Sequence, residues 1–154
     1  MQFGAVVPKG DLVAALLYCG PYDLRSLYDS DKWFARFFIR QLGWAYFNLR
    51  EWRDSPQAWQ ASTIEHVTPG YPAVFLTDGN HGSFEHDARK LEQRLKENGV
   101  HVDSLYYSAE RGRVGHEYQF DFSTPESIEC YNRTIAFLDD VTSHDQPTPR
   151  LTPM

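Results

Sequence analysis

Residues 12 to 19, Leu-Val-Ala-Ala-Leu-Leu-Tyr-Cys, run apolar without a break until Gly20-Pro21 stops them. An alternating pattern would mean a strand with one wet face. An unbroken one means a strand covered on both faces, as in a parallel sheet with helices above and below. The next segments fit that architecture. Pro72 to Thr77 predicts a second strand, and Asp78-Gly79-Asn80 is turn chemistry. Glu85 to Asn98 sets Ala88, Leu91 and Leu95 on one helical face before Gly99 ends it, and Val100 to Tyr107 supplies a third strand. A helix of that length between two strands is a right-handed crossover, which makes the strands parallel. The fold class is therefore α/β, with a buried central strand at 12–19 and further strands at 72–77 and 100–107.

Between the first two strands lies a helical excursion at 30–67. Ser30 stands as an N-cap, and Trp33, Phe34, Phe37, Phe38 and Leu42 recur at helical spacing to give one aromatic face. The pattern loosens around Trp44, Trp52 and Trp59, where Ser55-Pro56 reads as a cap followed by Pro at the first helical position. Core packing is the expected role for most of these aromatics, with Leu24, Leu27 and Trp44 as candidate pocket walls. Thr124 caps and Pro125 opens a last helix, whose expected buried stripe is Ile128, Tyr131, Ile135 and Leu138. One domain is expected over 1–141. The stretch 142–154 has three prolines and little to bury, so a disordered tail is expected there.

At 154 residues and 42% hydrophobic content the chain can bury a core of its own, about 70% of its unfolded surface for a domain of this size. The net charge of -6 comes from interspersed acids and bases, with no basic run to neutralise phosphates, so nucleic acid is excluded as a partner class. No apolar run approaches the roughly 20 residues of a membrane span. No signal-peptide pattern follows Met1, and a cytoplasmic location is the expectation. Cys19 and Cys130 have no CxxC spacing and read as buried free thiols.

In open α/β sheets the reactive groups gather where loops leave the carboxyl ends of the strands. Here those loops carry Tyr22 and Asp23, then Asp78 to Glu85, then His116. A carboxylate that accepts a hydrogen bond from one imidazole nitrogen fixes the tautomer, so that the other nitrogen can take a proton from a hydroxyl. The chain offers an acid and His116 on neighbouring strand ends. What it lacks is a Gly-x-Ser-x-Gly turn or an upstream His-Gly-Gly motif. Ser83 does not replace the missing serine, because the sharp turn wants Gly two residues to either side, where this chain has His81 and Glu85. Ser83 reads as a helix N-cap instead. His81, Glu85, His86 and Asp87 do not make a metal site either, since histidines five apart share no helical face.

Four strings carry a family resemblance: Leu17-Tyr18-Cys19-Gly20-Pro21-Tyr22-Asp23-Leu24, Phe75-Leu76-Thr77-Asp78-Gly79-Asn80, Gly82-Ser83-Phe84-Glu85, and His116-Glu117-Tyr118-Gln119-Phe120. In this order and spacing, over about residues 8 to 141, the chain resembles the C-terminal part of the α/β-hydrolase fold-3 esterases, the group similar to hormone-sensitive lipase. The resemblance implies a carboxylesterase acting on a small-molecule ester through an acyl-serine intermediate, with no cofactor and no metal. It makes His116 the general base. The triad acid is Asp78 or Glu85, with Asp23 more remote, because the family's usual aspartate position is occupied here by Gly82. The serine and the oxyanion loop would lie in the family's earlier portion, outside these residues, so the isolated chain is expected to be inactive. Without the preceding strand, 12–19 becomes an exposed apolar edge, inviting self-association or pairing with the missing N-terminal half. The alternative from another class is a non-catalytic α/β interaction module derived from a hydrolase.

Overall fold

The computed structural model describes residues 11–29 and 33–144. Three strands, β1 (Ala14–Tyr18), β2 (Ala73–Thr77) and β3 (Val102–Leu105), pair in the order β1-β2-β3, all parallel. Helices α1 (Trp33–Phe47) and α2 (Pro56–Ala61) fill the excursion between β1 and β2, α3 (Glu85–Glu97) joins β2 to β3, and α4 (Pro125–His144) follows the loop after β3. Ser55 caps α2 as expected, its hydroxyl accepting from Ala58 N–H, and Gly99 closes α3 in the left-handed conformation. The expected N-cap Ser30 lies outside the described residues. So does 145–154 of the expected tail, while α4 itself runs on to His144.

The period-two alternation of β2 builds the layers. Val74 and Leu76 face one cluster with Ala88, Leu91 and Leu95 of α3, whereas Phe75 faces the other with Cys130, Phe137 and Val141 of α4. Helices thus cover both faces of the central strand, and its middle residues are fully buried. The central strand is β2, not the 12–19 run. Among the described residues β1 has a neighbour on one side only, and Leu12, Val13 and Leu16 stay exposed. The continuous apolar run thus belongs to an edge strand, part of whose apolar surface is exposed among the described residues.

Two other expectations are corrected. The buried stripe of α4 is Ser127, Cys130, Thr134, Phe137 and Val141, while Ile128, Tyr131 and Ile135 are each more than 40% exposed. The small polar members of the inner stripe are paired: Ser127 Oγ donates to the Gln119 carbonyl, and Thr134 Oγ1 meets the Tyr18 hydroxyl at 2.7 Å. Arg133 pairs with Asp103 on β3, and the flank carrying Ile128, Tyr131 and Ile135 lies on the other side of the helix from it. In α1 the aromatic face is not core either, for Phe37, Phe38 and Leu42 are more than half exposed. Both faces of β2 are already occupied by α3 and α4, so α1 packs instead through Gly43 on the buried Trp52.

That close approach has a measurable consequence. A Cβ at Gly43 would stand 1.9 Å from the Trp52 ring. Gly43→Ala should lower unfolding free energy by about 1–3 kcal/mol despite alanine's better helix propensity. Urea melts check this, and a variant as stable as the parent would contradict the packing.

Candidate active site

Where β2 ends, its last peptide groups pass against the loop between β3 and α4. His81 N–H donates to the Val114 carbonyl at 3.0 Å, and His81 and Gly115 form a parallel bridge. Only glycine fits at 79, since a Cβ there would meet the Gly115 carbonyl oxygen at 2.1 Å. Asn80 fastens the same crossing by its side chain: Nδ2 donates to the Gly112 carbonyl at 2.9 Å, and Oδ1 accepts from Val114 N–H at 2.9 Å. These contacts seat His116, two residues beyond Val114, above the end of β2.

Asp78 meets it there. The Asp78 carboxylate is fully buried, with Oδ1 accepting from Gly79 N–H at 2.7 Å and Oδ2 from Phe84 N–H at 2.8 Å. Oδ1 also lies 3.2 Å from His116 Nδ1. A buried charge needs such donors, and the two backbone amides are supplied by the turn and by the entry to α3. With the proton on Nδ1, the other imidazole nitrogen is free to accept one. The His116 side chain keeps 30% of its surface exposed, and the Phe84 ring lies edge-on to it at 5.3 Å.

The other candidate acids face elsewhere. Glu85 pairs with Arg89 one helical turn on, at 2.7 Å, and Asp23 sits beside Arg25. Asp87 is buried and holds the loop after β1, accepting from Tyr22 N–H at 2.6 Å, Asp23 N–H at 2.9 Å and the Ser26 hydroxyl. His81 and His86 are exposed. The helix boundary falls at Phe84, one residue past Ser83, yet the Ser83 hydroxyl still accepts from Glu85 N–H at 3.4 Å, and Asp78 takes the Phe84 amide beside it.

Cys19, Asn80 and Gln119 escaped the sequence reading as parts of this site. Cys19 follows β1 in the left-handed conformation, and its Sγ, an Asp78 oxygen and a His116 ring nitrogen all lie within 4.8 Å of one another. A cysteine against a histidine invites comparison with a nucleophile, but the environment acts the other way. Burial, then a hydrogen bond to Asp78, pushes this thiol up to about 12. It is held as a neutral thiol.

Beyond Phe84 opens an apolar cavity of about 600 Å³, whose walls include Pro21, Leu24, Leu27, Leu42 and Trp52. The exposed face of α1 thus has a place: Phe38 and Leu42 turn into this hollow. Leu24 and Leu27 are walls as expected, whereas Trp44 lies against Arg50 outside it.

Comparison with solved structures finds the crystal structure of esterase B from Lactobacillus Rhamnosis (HN001), at a TM-score of 0.67 and 18% identity. The match covers 86% of this chain and 42% of that one. It shows an esterase-like α/β fold. No family model matches the chain, and no curated protein does. Among the described residues no helix is long and apolar enough to cross a membrane.

The state of the thiols is directly testable. Cys19 and Cys130 are both free, buried and shifted upwards. At pH 8 Cys19 should react with a disulfide reagent at least about 100-fold more slowly than in the unfolded chain, and Cys130 more slowly too, because the thiolate is the reacting form. Fast reaction of Cys19 in the folded protein would mean an activated sulfur.

Proposed function

We propose that this chain is the acid–base portion of a carboxylic ester hydrolase related to the hormone-sensitive-lipase-like esterases. His116 is the general base and Asp78 the acid that holds it. The observation that carries the reading is the 3.2 Å contact between His116 Nδ1 and a buried carboxylate that three donors surround. The attacking serine and the oxyanion donors belong to polypeptide outside these residues, in keeping with the 42% of esterase B that the match covers. In the assembled site His116 takes the serine proton as the acyl bond forms, then returns it to the departing alkoxide. Asp78 stabilises the imidazolium between the two steps. The cavity beyond Phe84 receives the apolar part of the ester, since its walls offer hydrocarbon and aromatic surface.

The same reading assigns an occupant to the open edge of β1. The exposed Leu12, Val13 and Leu16, flanked by Ile128, Tyr131 and Ile135 of α4, form the seat of the polypeptide that brings the serine. A parallel strand along β1 would satisfy the edge, and a helix beside it would cover the α4 flank.

Two outcomes are expected. The purified chain should hydrolyse p-nitrophenyl acetate at background rate, unchanged by His116→Ala; turnover that needs His116 would put the nucleophile inside these residues. At micromolar concentration the chain should self-associate through β1, and a lysine at Leu16 should shift it to monomer in light scattering. A parent chain that is already monomeric and cooperatively folded would remove the edge from the account.

A further inference from the structure

Behind the His116–Asp78 pair lies a polar group with an unmet need. Gln119 is 5% exposed, and its Nε2 has no acceptor, although its Oε1 sits 3.1 Å from Cys19 Sγ. The two ends of a carboxamide have the same shape, so turning it about Cγ–Cδ brings Nε2 onto the sulfur and leaves Oε1 unpaired in its place, a buried acceptor being less costly to strand than a buried N–H. The sulfur then receives two N–H groups, from Gln119 and from Glu117, whose amide is 3.2 Å away. Its own proton is then free to turn to Asp78, a carboxylate oxygen of which lies within 4.8 Å.

We propose that Cys19 and Gln119 extend the acid–base pair into a four-member hydrogen-bond chain, Gln119 to Cys19 to Asp78 to His116, with Cys19 as a positioning residue. The inference rests on the proposed role of the pair. It explains why a cysteine stands in left-handed backbone at the tip of β1, at φ 54°, where its side chain turns inward beneath the carboxylate. The upward shift of the thiol, from burial and then from Asp78, agrees with a proton shared towards that carboxylate. The chain acts on His116 from two sides. The thiol proton helps orient Asp78, and the sulfur anchors the Glu117 amide directly after the imidazole. Glu117 is itself left-handed, at φ 61°, and that turn presents its amide to the sulfur.

Nuclear magnetic resonance on the full chain tests this without substrate. In the parent, the Gln119 side-chain amide protons should show contacts to the Cys19 β-protons; an amide turned away overturns the proposal without any variant. Exchange of the His116 Nδ1 proton with water should quicken about tenfold in Cys19→Ala, as one weak hydrogen bond is lost, and return to the parent rate in Cys19→Ser. An unchanged rate in a folded Cys19→Ala protein overturns the positioning role while leaving the pair intact. A parent His116 that carries its proton on Nε2 instead removes the pair itself, and the longer chain with it.

Discussion

A carboxylate with no exposed surface, at the carboxyl end of the central strand, is the constraint on which the rest of this structure depends. Asp78 stays charged there only if donors surround it, and each donor fixes a different element. Gly79 N–H fixes the turn out of β2, Phe84 N–H fixes the start of α3, and His116 fixes the loop from β3 to α4. The same group is therefore a turn residue, a helix-entry acceptor and the partner of an imidazole. Gly79, without a Cβ, lets the β2 and His116 loops approach closely enough for this, and Asn80 ties them.

From that centre the molecule is asymmetric. Both outer strands are sheet edges among the described residues, but beside β3 polar side chains pair, Arg133 with Asp103 and the Tyr107 hydroxyl with the Glu126 carbonyl. The β1 edge instead leaves the apolar side chains of Leu12, Val13 and Leu16 exposed. The apolar cavity adjoins His116 through Phe84, which lines the hollow and touches the imidazole. A proton acceptor and an apolar hollow stand together, and the proposed partner supplies the atom that would use both.

The sheet was legible because its code is local. An unbroken apolar run, a crossover helix bounded by Gly99 and a second apolar run leave few topologies. His116 and Asp78 were legible as candidates because loops at the carboxyl ends converge, yet the choice between Asp78 and Glu85 was not. That choice turns on which carboxylate a helix entry and a glycine turn draw inward, a matter of three-dimensional competition in which Arg89 claimed Glu85. The α4 stripe was misread for a related reason. Hydrophobicity favoured Ile128, Tyr131 and Ile135, but Ser127 and Thr134 can be buried once their hydroxyls find the Gln119 carbonyl and the Tyr18 hydroxyl. The apolar flank that lost that competition stays at the surface among the described residues. Cys19 carried no signal of its own, because a cysteine ending an apolar strand looks like any small core residue.

The account turns on where the attacking atom resides, and one measurement addresses that most directly. A fluorophosphonate probe applied to the protein isolated from the cells that make it, followed by mass spectrometric mapping of the adduct, identifies the reactive serine. The label should fall on a serine outside these 154 residues, in polypeptide that is bound to this chain or continuous with it. A label on Ser83 or any other serine within them, or no label at all, would contradict the assignment of His116 and Asp78 to an acyl-transfer site.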